Sequence, residues 1–244
     1  MKALLFGAEV QEVLEEVRKF SELEVVDHDP EVVICYGGDG TLLASELRWP
    51  GIPKVPIRNS RKGHKCIAYP PADVVRRLAN DRLVRTEFMK LECALSRPGR
   101  QAPGPALTAL NEFNVHMGHI NAAVRFRLWL DNEPYEDGNE IIGDGFLVST
   151  PFGSTAYFKQ LTRGIFYRGI GLAFKSTAHH VCHLVLPEET VIRAEITRGP
   201  AALAFDSSLE YFDLKDGDEL IVKKYPQPAV ILAWEMPQHP SSVF

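Results

Sequence analysis

The sequence has few cysteines and no long apolar run, and both shortages limit what kind of protein it encodes. Its four cysteines stand apart, with no Cys-x-x-Cys pair: Cys35, Cys66, Cys93 and Cys182. In a chain of 244 residues this spacing is typical of reduced thiols in an intracellular protein. No stretch of 18 apolar residues occurs, and the apolar start at Ala3–Phe6 is too short for a signal peptide. We therefore expect a cytoplasmic protein that does not enter a membrane.

The sequence also lacks a basic excess. It contains 27 Lys and Arg residues against 32 Asp and Glu residues, which gives a formal net charge of -5. Binding to a nucleic-acid backbone needs a concentration of positive charge, and this balance does not provide one. We expect no nucleic-acid partner, and we expect any bound phosphate to be held by local backbone amides or by a metal ion.

The first part of the chain shows the pattern of an α/β layer. Apolar residues recur at helical spacing between Val10 and Phe20, with charged residues on the other face. Val32–Tyr36 is an apolar, β-branched run, which is typical of a parallel strand buried on both faces. These features predict a Rossmann-like α/β domain over residues 1–83.

The later part of the chain is rich in short extended runs separated by turns. In Ala123–Leu130, for example, the residues alternate between two faces, with Val124, Phe126, Leu128 and Leu130 on one and Arg125, Arg127 and Trp129 on the other, as in a strand with one buried face. We expect a β-rich, β-sandwich-like domain over residues 84–225. We also expect the C-terminal segment, residues 226–244, to pack back on the first domain.

The first candidate site is a glycine-rich turn, Gly37-Gly38-Asp39-Gly40-Thr41, directly after the predicted buried strand. Glycines let the backbone turn sharply and approach a ligand closely, and the amides of such a turn point at a bound anion. Asp39 would suit phosphoryl transfer if it held a proton or a metal ion. An ordinary strand-to-helix turn is the alternative. We expect Thr41 to cap a helix that runs through Arg48.

A second candidate is the pair Asn111-Glu112, inside the extended run Leu107–His116. Adjacent residues of a strand point to opposite faces, and a buried polar group requires a partner. A bound ligand would be one such partner. An edge strand with solvated side chains is the alternative.

A third candidate runs from Asp144 to Tyr157, where a short apolar strand is followed by Ser-Thr-Pro-Phe-Gly-Ser-Thr. This loop presents hydroxyl groups and backbone amides together, and Ser154 is placed to cap the helix predicted after it. The density of small hydroxyl residues exceeds what a turn needs. We interpret the segment as a ligand-binding loop, with an ordinary turn as the alternative.

Together the three segments resemble the marks of the NAD kinase family, in the same order and at similar separations. The glycine-rich turn alone is shared with diacylglycerol kinases, sphingosine kinases and phosphofructokinases, whereas the third segment is much more specific. Ala204-Phe205-Asp206 adds a further match, although Ser207-Ser208 follows where the family has Gly-Gln. The resemblance spans Val32 to Asp218, most of the chain.

The resemblance implies a homo-oligomeric kinase, dimer or tetramer, with an α/β domain followed by a β-rich domain. Its reaction would transfer a phosphoryl group from ATP or polyphosphate, with Mg²⁺, to the adenosine ribose 2′-hydroxyl of NAD, giving NADP. Asp39 matches the general base of the family. The residues that match phosphate- or dinucleotide-binding positions are Gly37, Gly38, Gly40, Thr41, Asn111, Glu112, Asp144, Ser154, Thr155, Ala156, Tyr157 and Asp206.

Two departures from the family pattern concern the substrate more than the chemistry. Val55–His64 replaces the family's Gly-Ile-Asn-x-Gly-x-Leu-Gly-Phe, with His64 where an aromatic residue lies near the adenine. A basic cluster is added there, which would hold phosphates or form a solvated loop: Arg58, Arg61, Lys62 and Lys65. Phe152 replaces a hydroxyl residue, which removes a hydrogen bond to the adenine and adds a ring that could stack on it.

The segment His179-His180-Val181-Cys182-His183 contains four potential metal ligands in five residues. Neighbouring side chains of an extended segment point to opposite faces, whereas a tetrahedral metal site needs ligands that converge from separate elements. We therefore predict no metal site built by the protein itself.

Two alternatives to an NAD kinase remain. One is a non-catalytic dinucleotide-binding or regulatory protein of the same fold, motivated by the altered Arg58–His64 loop and by Phe152. Retention of Asp39, Asn111-Glu112 and Asp144 argues against it. The other is a related kinase that acts on a lipid or a sugar, and the loop that ends at Tyr157 argues against that.

Overall fold

The structure is a computed structural model that describes residues 1–60, 63–97, 106–178 and 181–236. The chain divides into two compact units. The first contains Met1–Phe88 and the residues from Gln227 onward, and the second contains Met89–Pro226.

The secondary structure elements are numbered along the chain. The helices are α1 (Gln11–Val17), α2 (Asp39–Arg48), α3 (Pro71–Ala79) and α4 (Tyr157–Thr162), with short 3₁₀ turns at Tyr135–Gly138 and Gly153–Thr155. The strands are β1 (Lys2–Gly7), β2 (Glu24–Val25), β3 (Val32–Gly37), β4 (Lys54–Arg58), β5 (Val84–Phe88), β6 (Leu91–Ser96), β7 (Leu107–Ala109), β8 (Glu112–Met117), β9 (Val124–Leu130), β10 (Glu133–Pro134), β11 (Ile141–Gly143), β12 (Gly145–Ser149), β13 (Ile170–Lys175), β14 (His183–Leu186), β15 (Ile192–Arg198), β16 (Ala201–Phe205), β17 (Phe212–Leu214), β18 (Glu219–Lys224) and β19 (Ala229–Ala233).

The first unit is a mixed sheet with the strand order β2-β1-β3-β4-β19-β5, accompanied by α1, α2 and α3. All neighbouring strands run parallel except β5, which is antiparallel to β19. Every residue of Val32–Tyr36 in β3 is buried, as predicted from its apolar run. Helix α3 buries an apolar stripe made of Val74, Val75 and Leu78.

The edge of this sheet differs from the boundary expected at residues 83 and 84. Strand β5 pairs with β19 from Ala229↔Phe88 to Ala233↔Val84, so Val84–Phe88 belongs to the first unit. The exposure of β5 alternates along the strand, and its partner comes from the far end of the chain. A local pattern identifies such a strand but does not assign it to a sheet.

The second unit contains two antiparallel sheets. One has the order β10-β9-β15-β18-β6-β7, with β11 also paired to β9, and the other has the order β14-β13-β12-β8-β16-β17. Phe126 of the first sheet and Phe146 of the second meet with ring centroids 4.9 Å apart. Alternate residues of β9, including Phe126, are buried, as the alternation in the sequence predicts. The structure thus has the α/β and β-sandwich-like parts that the sequence indicated.

One shorter expectation was wrong. The run Leu107–His116 is not continuous, because it breaks at Leu110-Asn111 between β7 and β8.

Candidate functional site

The glycine-rich turn of the first unit connects β3 directly to α2. The helix begins at Asp39, and Gly38 precedes it in an extended conformation with φ −111°. Thr41 therefore lies within the first helical turn and does not cap the helix as predicted. Its side chain lies so close to Gly37 that a Cβ atom there would be 2.2 Å from Thr41 Oγ1, so this position requires glycine. The N–H groups of a first helical turn lack intrahelical acceptors and favour an anion at this end.

The Asp39 carboxylate holds the loop that follows β4. Its Oδ1 atom accepts the backbone N–H of Lys65 at 2.8 Å, and its Oδ2 atom accepts that of His64 at 3.1 Å. The Cys66 thiol donates to Oδ1 at 3.8 Å, and burial raises the pKa of this thiol well above its usual value. Asp39 thus fixes the altered loop through its backbone, whatever side chains the loop carries.

The basic cluster of this loop is only partly described by the structure. Arg58 is exposed and its Nη1 donates to the Gly63 carbonyl at 3.4 Å, while the side chain of Lys65 is buried. Arg61 and Lys62 lie outside the described residues. Within the described part, the loop is also closed by Ser60, whose Oγ accepts the Gly63 N–H at 3.0 Å.

In the second unit, Asn111 and Glu112 lie where β8 begins, and both are buried. The Asp206 carboxylate, at the end of β16, accepts the backbone N–H groups of Leu110, Asn111 and Glu112 at 2.8, 2.7 and 3.2 Å. The Asn111 side-chain oxygen is buried and has no hydrogen-bond partner among the described residues. Such a group carries a desolvation cost that a ligand donor would relieve.

The loop after β12 packs against the same segment. Thr150 Oγ1 donates to the Leu110 carbonyl at 2.6 Å and accepts the Gly153 N–H at 2.9 Å. Gly153 approaches Asn111 so closely that a Cβ atom on it would lie 2.2 Å from the Asn111 carbonyl oxygen. The pairing Ser149↔Glu112 brings the end of β12 beside the start of β8. The second and third motifs therefore converge, together with Asp206, at one end of this sheet.

Two side chains of this loop do not have the positions predicted for them. Ser154 Oγ is buried and donates to the carbonyls of Pro151 and Phe166 at 2.7 and 3.1 Å, so it stabilises the loop and does not cap α4. Helix α4 instead begins at Tyr157, preceded by Ala156 without a side-chain cap. Phe152 is 1% exposed. Its ring packs inside the protein because burying an aromatic ring is more favourable than exposing it.

The other end of the same sheet holds a second polar group of residues. Gly145 pairs with both His116 of β8 and Lys175 of β13, so Asp144 lies beside these residues. The Lys175 amine donates to Asn114 Oδ1 at 2.6 Å and lies 5.9 Å from the ring centroid of Tyr157. Asp144 and Tyr157 thus lie near one lysine amine. Its partner Asn114 is two residues from Glu112 on β8, about 7 Å along the strand.

Lys175 belongs to no motif identified in the sequence, and Asn114 lies in the run Leu107–His116 without having been singled out as a site residue. Lys175 ends an apolar strand and has no regular spacing to Asp144, so only the strand register reveals their proximity. Thr155 and Ala156, which lie within the segment Ser149–Tyr157, are partly buried.

The histidine-rich segment gives no metal site in the described part of the chain. His179 and His180 lie outside the described residues, and Cys182 contacts His183 Nδ1 at 3.1 Å. No group of three or more His, Cys, Asp or Glu side chains suited to a metal ion occurs among the described residues. In the same residues, no helix is long and apolar enough to cross a membrane.

The fold matches solved kinase structures over nearly the whole chain. Yeast NADH kinase, solved with NADH, superposes with a TM-score of 0.85 at 17% identity and covers 96% of this chain and 83% of its own. An NAD kinase from Archaeoglobus fulgidus, solved with ATP, gives a TM-score of 0.76 at 22% identity and covers 96% and 94%. At these identities the likeness establishes the fold alone, which this chain shares with both solved kinases.

Sequence relatives show the family to which the chain belongs. The NAD kinase of Chloroflexus aggregans is 30% identical over 213 residues, which are 82% of this chain and 73% of the relative. That of Gemmatimonas aurantiaca is 28% identical over 242 residues, 94% and 81% of the two chains. No protein-family model matches the chain. The chain belongs to the NAD kinase family, a family of kinase enzymes.

Proposed function

We propose that this protein phosphorylates the adenosine ribose 2′-hydroxyl of NAD or NADH, with ATP or polyphosphate as the phosphoryl donor. The observation that carries the proposal is the buried side-chain oxygen of Asn111, which has no hydrogen-bond partner among the described residues. A fixed asparagine pairs well with adenine, whose exocyclic amine donates to the side-chain oxygen. The relatives' name and the NADH and ATP in the two solved neighbours support the same substrates.

Asp39 is the proposed general base. Two backbone amides and one thiol donate to its carboxylate, and an ionised carboxylate offers about four acceptor positions. One position therefore remains for the proton of a ribose hydroxyl. Phosphoryl transfer depends mainly on positioning and charge stabilisation, so a fixed carboxylate at the start of α2 suits this role.

The phosphates of the donor are proposed to lie at the glycine-rich turn, against the first-turn amides of α2. Gly37, Gly38 and Gly40 let the backbone approach them closely. We treat Mg²⁺ as part of the donor substrate, because Asp39 already accepts three donors and the described residues form no cluster of three metal ligands. Its role would be to neutralise phosphate charge.

Glu112, Asp144, Thr155, Ala156 and Tyr157 are proposed to contact the dinucleotide directly. Ser154 and Asp206 are proposed to act indirectly. Asp206 accepts the backbone N–H of Asn111, and Ser154 donates to the Pro151 carbonyl within the neighbouring loop. A homo-oligomer and a cytoplasmic location are also part of the proposal. Light scattering of the purified protein tests the first, and fractionation of the source cells tests the second.

The function is tested with an end-point assay that contains purified protein, NAD⁺ or NADH, and MgATP or Mg-polyphosphate. An NADP-specific dehydrogenase reports the product. We expect product from the wild type and none from Asp39→Asn, which keeps the shape of the side chain and removes its basicity. Asp73→Asn is the matched control, because Asp73 is a surface aspartate of α3 in the same unit, paired with Arg76.

The outcomes separate the enzyme from a binding protein. Near-normal turnover in Asp39→Asn would remove Asp39 from the mechanism. Absence of product from the wild type with every donor and dinucleotide, together with calorimetric binding of a dinucleotide, would favour the non-catalytic alternative.

A further inference from the structure

The first unit has a basic pocket that shares no residue with the proposed active site. It encloses about 450 Å³ and opens to solvent, and it is lined by residues of α3, by residues of the turn after this helix, and by two aromatic rings. Ligand pockets in proteins commonly have volumes of about 300–1,000 Å³. The pocket is therefore large enough for a small organic ligand.

Positive charge is concentrated in this pocket, although the protein as a whole is acidic. Arg76, Arg77 and Arg82 line it, and Asp73 is its only carboxylate among the described residues. Three positive charges against one negative charge leave an excess of two, whereas the whole chain has a formal net charge of -5. A concave site lined by charge of one sign raises the local concentration of ligands of the opposite sign. The charge of the pocket thus favours an anion.

Two of the three arginines have no counter-charge. Arg76 forms an ion pair with Asp73 one turn earlier on α3. Within the described residues, neither Arg77 nor Arg82 pairs with a carboxylate. A guanidinium group presents five N–H donors in a planar fork, which matches two oxygens of a phosphate group. The pocket therefore offers two groups suited to phosphate, one for each of two negative charges.

The Arg77 guanidinium is fixed in place by Trp234. Its central carbon lies 3.6 Å from the centroid of the indole ring, and its Nη1 donates to the Trp234 carbonyl at 2.8 Å. The Tyr69 ring stacks on the same indole, with ring centroids 3.9 Å apart and an interplanar angle of 17°. One of the five donors of Arg77 is used in this way, which leaves four for a ligand. A side chain that is ordered before binding loses less conformational entropy when a ligand binds.

Arg82 is brought beside Arg77 by the turn that ends α3. The backbone N–H of Arg82 donates to the Arg77 carbonyl at 2.8 Å, and Asp81 between them has φ +52°. Arginines are favourable in the last turn of a helix because they complement its dipole, and this explains Arg76 and Arg77. It does not explain Arg82, which lies beyond the helix, is exposed, and lines the same pocket.

We propose that this pocket is a second anion-binding site, which takes a ligand that carries a diphosphate group. Arg77 and Arg82 bind the phosphate oxygens, while Arg76 stays paired with Asp73 and does not contact the ligand. Inorganic pyrophosphate and a nucleoside diphosphate share this group. The second also has a base, for which the 43% exposed ring of Tyr69 provides a stacking surface. The site is independent of the proposed function, because the two share no residue.

The test titrates the full chain with inorganic pyrophosphate and, separately, with ADP, and follows tryptophan fluorescence and heat. The protein has three tryptophans, so Trp234→Phe identifies the part of the fluorescence change that comes from the pocket. This signal separates the pocket from the glycine-rich turn, which is proposed to bind phosphates as well. Arg82→Gln removes one unpaired guanidinium. Arg85→Gln is the matched control, because Arg85 is an exposed arginine of β5 in the same unit that does not line the pocket.

We expect the Kd reported by Trp234 to rise about tenfold or more in Arg82→Gln, because hydrogen bonds to a charged group are lost. In Arg85→Gln it should stay within about twofold of the wild-type value, since an exposed charge that does not touch the ligand is screened at an ionic strength of about 0.15 M. Arg82 is exposed, so the thermal midpoint of Arg82→Gln should match that of the wild type. Tighter binding of ADP than of pyrophosphate would identify a nucleoside diphosphate as the ligand, and equal binding would identify the free diphosphate.

Three results would overturn the second site. The first is a Trp234 signal with the same Kd in the wild type and Arg82→Gln, and the second is an equal loss of affinity in Arg85→Gln, which would show only a general effect of charge. The third is no Trp234 signal with either ligand, together with the same calorimetric stoichiometry in the wild type and Arg82→Gln. None of these results depends on turnover, so a protein that phosphorylates no dinucleotide would still decide whether the pocket binds a diphosphate.

Discussion

The carboxylate of Asp206 accepts the backbone N–H of Asn111 at 2.7 Å, across 95 residues of sequence. The same carboxylate accepts the N–H groups of Leu110 and Glu112. Asp206 has φ +47°, in the left-handed region, which turns its side chain back toward these amides. One residue at the end of β16 thereby fixes the backbone of the segment that presents the buried Asn111 oxygen.

Replacing Asp206 by Asn should weaken dinucleotide binding without altering the reacting groups. Asparagine tolerates the left-handed conformation, so the change removes charge and one acceptor oxygen while the backbone is preserved. We expect KM for the dinucleotide to rise at least several-fold and the free energy of unfolding to fall by about 1–3 kcal/mol. Steady-state kinetics and urea unfolding measure the two effects.

Asp216→Asn is the control for this variant. Asp216 accepts a single backbone N–H, that of Gly199 at 2.6 Å, at an exposed turn. It should lose less stability and keep a normal KM. Equal effects of the two substitutions would show that Asp206 has no particular influence on the site.

Replacing Asn111 by Leu should separate binding from stability. The side-chain oxygen of Asn111 is buried without a hydrogen-bond partner among the described residues, and burying such a group costs about 1–3 kcal/mol. Leucine has a similar volume and no polar atom, so we expect the free energy of unfolding to stay constant or rise. The dinucleotide Kd should rise about tenfold or more, as measured by calorimetry. A variant that loses stability and keeps its affinity would assign Asn111 a structural role.

The local features of the site were predictable because each depends on adjacent residues. The buried strand Val32–Tyr36 is visible as an apolar run, and the turn at Gly37–Thr41 follows from its glycines. The loop that ends at Tyr157 is marked by its hydroxyl residues. In all of these, the chemistry of the segment and its backbone conformation are encoded within a few residues.

The features that the sequence did not reveal depend on pairing between distant segments. Strand β19 lies between β4 and β5, and the position of Lys175 beside Gly145 and Asn114 follows from the register of three strands. Ser154 stabilises its loop and does not cap α4, and this too depends on a distant segment, since its second acceptor is the Phe166 carbonyl. Strand register is set by packing of whole sheet faces, which a local pattern does not encode.

Replacing Phe152 by Thr, the type of residue that the family has there, should affect stability far more than substrate binding. Phe152 is 1% exposed, and truncating a buried phenylalanine costs about 3–5 kcal/mol. We expect a lower thermal midpoint and a KM for the dinucleotide within about twofold of the wild-type value once the protein is folded. Phe152→Leu should lose less stability. A large rise in KM with unchanged stability would instead place the ring against the substrate.

The buried ion pair between Glu46 and Lys54 supports the α/β unit, and breaking one side of it should be costly. Lys54 Nζ lies 2.6 Å from Glu46 Oε2, with both side chains almost fully buried, and also donates to the carbonyls of Trp49 and Ile52. Glu46→Gln leaves the ammonium charge buried without its counter-charge, so we expect a loss of about 3 kcal/mol or more. Differential scanning calorimetry should show a lower melting temperature.

An exposed pair of similar length provides the comparison that isolates burial as the cause. Glu16 of α1 and Lys19, just beyond the end of this helix, are 2.7 Å apart, but the lysine side chain is 61% exposed, and such pairs contribute at most about 1 kcal/mol. Glu16→Gln should therefore change stability little. The double variant Glu46→Gln with Lys54→Met removes both the charge and its counter-charge, and it should be less destabilised than the sum of the two single variants. Additive losses would mean that the two charges do not stabilise each other, and that packing around Trp49 and Ile52 explains the burial of Lys54.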